Sequence, residues 1–485
     1  MWKFSHDAKS YIAGQWQQAA GGATFGVSDP ATGKTIAQVP NMGAPETKAA
    51  IAAAHDAFPA WAATPAKDRA DILKAWAELI RDNAEDLGEL MTAEQGKPLL
   101  EAIGEVMTSA DYIDWFAAEA VRDQRETVEA PTQDATVHIT RDPVGVVAAI
   151  TPWNFPAAMV TRKVAPALAA GCPVILKPAE DTPLIALALA ELAERAGVPA
   201  GVFSVVTGDR AAAPVISKTL MDSTDVAKLS FTGSTEVGKI LIGQSATTVK
   251  RLSLELGGNA PVIVLEDADI DAAVKGVLSA KFMNAGQMCV APNRIYVHEK
   301  IYDEFAGKLA DAVRDIKVGP GIDPDTQMGP LINQRAVDKV QHQVDDAVAK
   351  GAELLCGGHA QPGTLFFEPA VLKNATAEME IKSQETFGPV AALFKFREEA
   401  KVITEANDTR YGLAAYVFGE EAHATRVAQS LQAGMVGVNE PMLVDPAIPF
   451  GGVKESGYGR ENSRFGIEEY QDIKAKIVKN KKPQP

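Results

Sequence analysis

The sequence predicts an α/β fold centred on a doubly wound, largely parallel sheet and continued by a second α/β segment. Three observations lead there. From Val144 onward short apolar runs alternate with amphipathic helical stretches, the pattern of βαβ units. The chain of 485 residues is 46% hydrophobic, enough for more than one core; at ~100–200 residues per domain it holds two or three. Its polar and glycine-bearing motifs directly follow the apolar runs, where such a sheet opens a ligand crevice.

In chain order, residues 25–39 read as short strands broken at Asp29-Pro30 and Thr32-Gly33. Residues 44–61, 66–83, 84–95 and 98–123 carry apolar positions at helical spacing and form a packing layer. Strands follow at 144–150, 174–177, 202–206, 227–231 and 251–254, with helices near 157–169, 183–196, 211–220 and 235–245. Asp181-Thr182-Pro183 supplies a capping side chain and a first-turn proline to the second of these helices, and Gly197 closes it. The second segment has strands at 262–265, 294–298, 391–396 and 415–418, and helices at 268–284, 301–316 and 334–349.

A formal net charge of −16 argues against general nucleic-acid or anionic-membrane binding, which need a basic face. Three cysteines make no disulfide framework, and with seven scattered histidines they show no metal-ligand spacing; no metal is expected, and a reducing cytoplasm fits best. Residues 1–18 lack the continuous apolar core of a signal peptide. The most apolar stretches, 144–150 and 184–192, fall short of the ~18–20 residues of a spanning helix.

Cys289 sits in the small-residue turn Gly286-Gln287-Met288-Cys289-Val290-Ala291-Pro292. It is either a nucleophile or a small buried hydrophobe, and the local sequence leaves both readings open. Glu255 lies between leucines in Leu254-Glu255-Leu256-Gly257-Gly258. Apolar neighbours would raise its pKa toward that of a general base, unless it points outward from a sheet edge. In Lys177-Pro178-Ala179-Glu180 the lysine suits ribose hydroxyls, and the carboxylate suits a 2′-hydroxyl while repelling a 2′-phosphate. A solvated charge pair is the plainer alternative. Phe231-Thr232-Gly233-Ser234-Thr235-Glu236-Val237-Gly238 enters a helix whose N–H groups could face a phosphate, without the Gly-x-Gly-x-x-Gly spacing. A tight turn with no ligand accounts for it as well. Glu385 and Phe387 could grip a ribose or belong to a turn with a core aromatic.

Together with Thr151-Pro152-Trp153-Asn154-Phe155-Pro156, Glu385-Thr386-Phe387-Gly388-Pro389 and the stretch from Pro449 to Glu461, these motifs resemble the aldehyde dehydrogenase superfamily, in family order over nearly the whole chain. The resemblance implies an aldehyde dehydrogenase-like fold with a doubly wound cofactor domain (1–121 and 142–254) and an α/β catalytic domain (255–440). It adds a small β oligomerisation flap (122–141 and 465–485) and a bridging segment (441–464). It implies Cys289 as nucleophile, Asn154 and the Cys289 N–H as oxyanion donors, Glu255 as base and Glu461 as proton relay. The implied cofactor positions are Ile150, Thr151, Pro152, Trp153, Lys177, Ala179, Glu180, Gly208, Phe231, Gly233, Ser234, Val237, Leu256, Gly257, Glu385 and Phe387. NAD is expected over NADP because of Glu180, and a homodimer or homotetramer is expected.

The nearest likeness is to succinate-semialdehyde dehydrogenases, through Asn154-Phe155-Pro156-Ala157-Ala158-Met159 and Thr161-Arg162-Lys163. Substrate-lining positions implied are Phe155, Met159, Arg162, Met283, Met288, Asp445 and Phe450, with Arg162 for a distal carboxylate. The family's second arginine falls at Met283, and Asp445 would repel a carboxylate, so a neutral, hydroxylated or aromatic aldehyde competes with a semialdehyde. Ala291, in place of a second cysteine, predicts no disulfide switch at the site. A cofactor-free cysteine esterase and a non-catalytic descendant of the fold are the readings of other classes.

Overall fold

The computed structural model describes residues 2–122 and 125–480. Its first sheet has the spatial order Gly457–Tyr458, Arg251–Glu255, Val226–Thr232, Val146–Ile150, Val174–Lys177, Phe203–Val205, Ser10–Ile12, Gln15–Gln17. The inner strands from Arg251–Glu255 to Phe203–Val205 are parallel, and antiparallel strands close both edges. Every expected inner strand forms, with ends moved by one or two residues. Successive strands step away from Val146–Ile150 on one side, then return to its other side with Val226–Thr232. The crevice outside the carboxyl ends of those two strands is the topological switch point.

A second sheet has the order Glu353–Cys356, Ala370–Lys373, Val390–Phe396, Pro292–His298, Ala260–Val264, Ala414–Phe418, Met435–Val438, parallel except for its first pair. A third, antiparallel sheet pairs Ala135–Pro143 with Glu126–Glu129 and with Gln471–Lys479. Its strands lie in the segments 122–141 and 465–485, except that the middle one runs on to Pro143; residues 123, 124 and 481–485 lie outside the described residues, as does the end of the helix expected to reach 123. Short strands at or next to a sheet edge, Ser10–Ile12 and Met435–Val438 among them, were not expected from the sequence.

Helix Ala158–Ala170 is buried along its whole length, packed between the first sheet and the helices Ala66–Asp82 and Leu99–Val121. It therefore holds Arg162 and Lys163 inside the protein. The expected cap of the next helix, Leu184–Arg195, is corrected by the structure. Neither Asp181 nor Thr182 caps it; the buried Glu94 carboxylate accepts from the Leu184 N–H at 2.8 Å and the Ile185 N–H at 2.9 Å. A long-range acceptor satisfies the first-turn donors that sequence reasoning assigned to a neighbour. Gly197 does close the segment, at φ +95°.

The helix expected over 268–284 stops at Phe282. Asn284, Ala285 and Gly286 then take φ of +49°, +54° and +71°, a left-handed run that α-helix cannot continue. Side chains at the first two positions make this a strained corner, held by the structure around it. At Gly286 a Cβ would lie 2.3 Å from the Gly388 carbonyl oxygen. The corner directs Cys289 into the crevice. Among the described residues no helix is long and apolar enough to cross a membrane, and no cluster of acidic, histidine or cysteine side chains is arranged to hold a metal.

Candidate active site

Two cavities meet at Cys289. One, of about 380 Å³, is the crevice at the switch point; it is lined by Pro152, Trp153, Asn154, Gly233, Ser234, Leu256, Gly257, Glu385 and Phe387. The other, of about 290 Å³, is lined by Phe155, Arg162, Met283, Met288 and Phe450, with Tyr112 and Tyr416. Cys289 and Met159 belong to both. The loop behind the thiol demands glycine, since a Cβ on Gly258 would lie 2.1 Å from the Cys289 carbonyl oxygen. Burial first, then Glu385, pushes the thiol up to about 12, against the pull of Arg162. At neutral pH the thiol keeps its proton, so nucleophilic attack needs an acceptor for it.

Asn154 stands on the turn after Val146–Ile150, 5% exposed, and its Nδ2 donates to the Gln287 carbonyl oxygen at 2.9 Å. A side-chain amide has two hydrogens, which leaves one for a ligand. Glu255 ends its strand between Thr232 and Gly457 and is buried. Neither carboxylate oxygen has a hydrogen-bond partner among the described residues, and Glu255 lines neither cavity. Burial, reinforced by Glu461, holds its carboxyl well above the usual range, while Lys163, Arg162 and Arg460 pull it down. Lys163 Nζ donates to Glu461 Oε1, and Arg162 Nε lies 3.9 Å from Glu461 Oε2.

Arg162 is 1% exposed, with its guanidinium carbon 4.4 Å from the Phe450 ring centre and 4.9 Å from that of Tyr112. Nη2 donates to the Tyr112 hydroxyl at 2.6 Å, while Nε and Nη1 have no hydrogen-bond partner among the described residues. Such a cation is a ready receptor for an anion. Asp445 is corrected: it lies outside the tunnel lining, exposed, with Oδ1 accepting from the Ala447 N–H at 2.8 Å in a local turn. Leu443 and Val444 of the same loop reach the tunnel instead.

Ile150, Thr151, Lys177, Ala179, Glu180, Gly208, Phe231 and Val237 do not line the crevice. The Thr151 N–H donates to the Lys177 carbonyl oxygen at 3.2 Å, which joins Ile150 and its strand end to the neighbouring one, with Ala179 buried beyond. The Phe231 ring underlies Gly233, where a Cβ would lie 2.5 Å from it. At Gly208 a Cβ would meet Ile216 at 2.5 Å, a packing constraint, and Val237 is 43% exposed on helix Thr235–Ser245. Sequence reasoning missed Arg335 and Lys339, which line the crevice from helix Gln334–Ala349. Their spacing of four put them on one face, but nothing local showed which way it turned. Lys97, Glu101 and Glu105 in the tunnel were missed for the same reason.

Residues 16–476 match the description "Aldehyde dehydrogenase family". The chain belongs to that family. It is 52% identical over 469 residues to the 3-sulfolactaldehyde dehydrogenase of Pseudomonas putida, covering 96% of each chain. It is 51% identical over 468 residues, again 96% of each, to the succinate-semialdehyde dehydrogenase (NADP(+)) GabD of Escherichia coli (strain K12). A crystal structure described as that of an E. coli NADP dependent enzyme superposes with a TM-score of 0.96 at 50% identity, covering 98% of each chain. As an aldehyde dehydrogenase the chain is an oxidoreductase acting on aldehydes.

The expected preference of this aldehyde dehydrogenase for NAD over NADP is corrected by two of these relatives, GabD and the E. coli enzyme of known structure, whose names carry NADP. The expectation took the Glu180 charge alone. Glu180 is 30% exposed and lies 3.4 Å from the Nζ of buried Lys177, so it does not act as an isolated charge. The residues present fit a dinucleotide. The glycines at 233 and 257 leave the crevice wall bare, where a Cβ on Gly257 would stand 3.0 Å from Glu385 Oε2. The Ser234 side chain caps the helix that opens onto the crevice.

Proposed function

We propose that this aldehyde dehydrogenase oxidises a small semialdehyde, such as succinate semialdehyde, to the carboxylic acid with NADP(+), through covalent intermediates on Cys289. The observation that carries this reading is the position of Cys289 on the shared wall of the two cavities. One cavity suits a dinucleotide and the other a short chain reaching toward Arg162.

Cys289 Sγ attacks the aldehyde carbon as its proton passes to the Glu255 carboxylate, and the carbonyl electron pair moves onto oxygen. The free hydrogen of Asn154 Nδ2 and the Cys289 N–H receive that oxyanion. A bound dinucleotide would supply the hydride acceptor, and loss of hydride from this carbon leaves a thioester on Cys289. Glu255 rotates from its buried resting position and removes a proton from water as it attacks the thioester; the acid and the thiol are released. Glu461 and Lys163 carry the proton away from Glu255. Pro152, Trp153, Gly233, Ser234, Glu385 and Phe387 would hold the dinucleotide, and the cationic face of Arg335 and Lys339 would attract its phosphates.

The relatives' names specify substrates with an anionic far end, a carboxylate or a sulfonate. The unbonded Nε and Nη1 of Arg162 support the same class here. Met283 stands where a second cation was sought; the other cation lining the tunnel, Lys97, is already paired with Glu105. The domain division given above and a homo-oligomer built through the third sheet belong to the same proposal; Ile473, Ile477 and Val478 stand exposed on that sheet's outer strand.

The test is NADPH formation by the purified protein with succinate semialdehyde and with propanal, and its loss in Cys289→Ala. Full turnover in that variant would remove Cys289 from the mechanism, and ester cleavage with no nucleotide binding would favour a hydrolase.

A further inference from the structure

The turn carrying Asn154 is gripped at both ends by one buried ion pair. Lys97 and Glu105, with side chains 1% and 3% exposed, lie 2.5 Å apart on and just before helix Leu99–Val121. The ammonium end also donates to the Asn154 carbonyl oxygen at 2.9 Å. The carboxylate end accepts from the Ala157 N–H at 2.9 Å and the Ala158 N–H at 3.1 Å, where helix Ala158–Ala170 begins. The cation therefore takes the acceptor of the turn and the anion takes its donors.

A second line of bonds reaches the same carbonyl. Asn284 Nδ2 donates to it at 2.9 Å, Gln95 Nε2 donates to Asn284 Oδ1 at 2.9 Å, and the Asn284 N–H donates to Glu101 at 3.0 Å. Asn284 is one of the left-handed residues of the cysteine corner. The segment around Lys97 thus ties the oxyanion arm to the nucleophile loop.

We infer that Lys97, paired with Glu105, is a positioning residue that sets the aim of the Asn154 amide at the reacting carbon. The inference rests on the oxyanion role proposed for Asn154. Desolvated charges make these bonds stiffer than neutral ones, and their directions fix the peptide plane from which the Asn154 side chain departs. A displacement of ~1 Å in such a group costs on the order of 100-fold in rate.

The experiment replaces the pair together, Lys97→Met with Glu105→Gln, so that neither member of the pair is left as a lone buried charge, and compares it with Lys97→Arg and Asn154→Ala. The inference requires kcat for both succinate semialdehyde and propanal to fall roughly 10- to 100-fold in the double variant. NADP(+) affinity and the rate of Cys289 alkylation by iodoacetamide should hold within about twofold, and Lys97→Arg should recover part of kcat. Undiminished kcat in the double variant beside a slow Asn154→Ala overturns it. So does a loss confined to KM for succinate semialdehyde, which makes Lys97 a direct anion contact, or a loss that takes alkylation and folding with it. Full activity in Asn154→Ala rejects the oxyanion reading itself.

Discussion

The Asn154 side-chain amide donates to the carbonyl oxygen of Gln287, two residues before Cys289, at 2.9 Å. Gln287 is itself fixed, its Nε2 donating to the Asn284 carbonyl oxygen at 3.1 Å and its Oε1 accepting from the Ile332 N–H at 3.0 Å. The amide is therefore oriented before any substrate arrives, as an oxyanion donor needs to be. Asn154→Ala should lower kcat by about 100- to 1,000-fold, or about 3–4 kcal/mol of transition-state stabilisation. Steady-state NADPH formation measures it, and a loss below about tenfold would argue against the role.

The pH dependence of turnover should report Glu255. Burial and the Glu461 charge raise its carboxyl, so it is a base only once pH has climbed through that raised value, and turnover should rise with pH. Glu461→Gln removes a negative neighbour, makes ionisation of Glu255 easier and should move the rising limb to lower pH. A limb that stays in place, or moves up, contradicts the coupling.

Arg162→Met tests the far end of the tunnel. The loss should appear as a KM for succinate semialdehyde raised by roughly 10- to 100-fold, the worth of a charge-assisted bond. Propanal, which has no distal anion, should show little change. Equal losses for the two aldehydes would assign Arg162 to the Glu461 and Lys163 cluster instead.

Lys177→Met should weaken NADP(+) more than NAD, because it leaves the Glu180 carboxylate uncompensated. Nucleotide titrations by intrinsic fluorescence give both affinities. Parallel losses, or none, would show that the pair at 3.4 Å does not govern the 2′-phosphate.

Glu94→Gln should destabilise the fold by about 1–3 kcal/mol in urea titrations, since an amide presents a donor to one of the two N–H groups the carboxylate caps. Burial pushes Glu94 up to about 8 from 4.5. A carboxyl raised by folding contributes stability below its unfolded value and loses it as pH rises through the folded one. The gap between parent and variant should therefore narrow from pH about 5 to about 9.

The inner strands of the first sheet and the motifs after them were legible because each is a local signal. Alternating apolar runs mark strands, and glycine, proline and polar residues mark the turns at their ends. Asn154, Gly233, Leu256 and Gly257 share one crevice for that reason: parallel strands deliver their carboxyl ends to one side of the sheet, whereas Cys289 reaches it from the left-handed corner of the second segment. The Glu180 argument failed because a charge acts together with its neighbours, here Lys177 three residues away.

By itself the sequence determined the order of strands along the chain, the cysteine turn, and the carboxylate and amide placed at strand ends. Tertiary structure decided what surrounds it. Glu94 caps a helix about 90 residues away, Lys97 and Glu105 clamp a turn more than 50 residues away, and helix Gln334–Ala349 turns its cations into the crevice. Asp445, one residue from a tunnel wall, faces solvent. Hydrophobic periodicity along the chain says which residues are buried, whereas buried polar groups find their partners only once distant segments have packed.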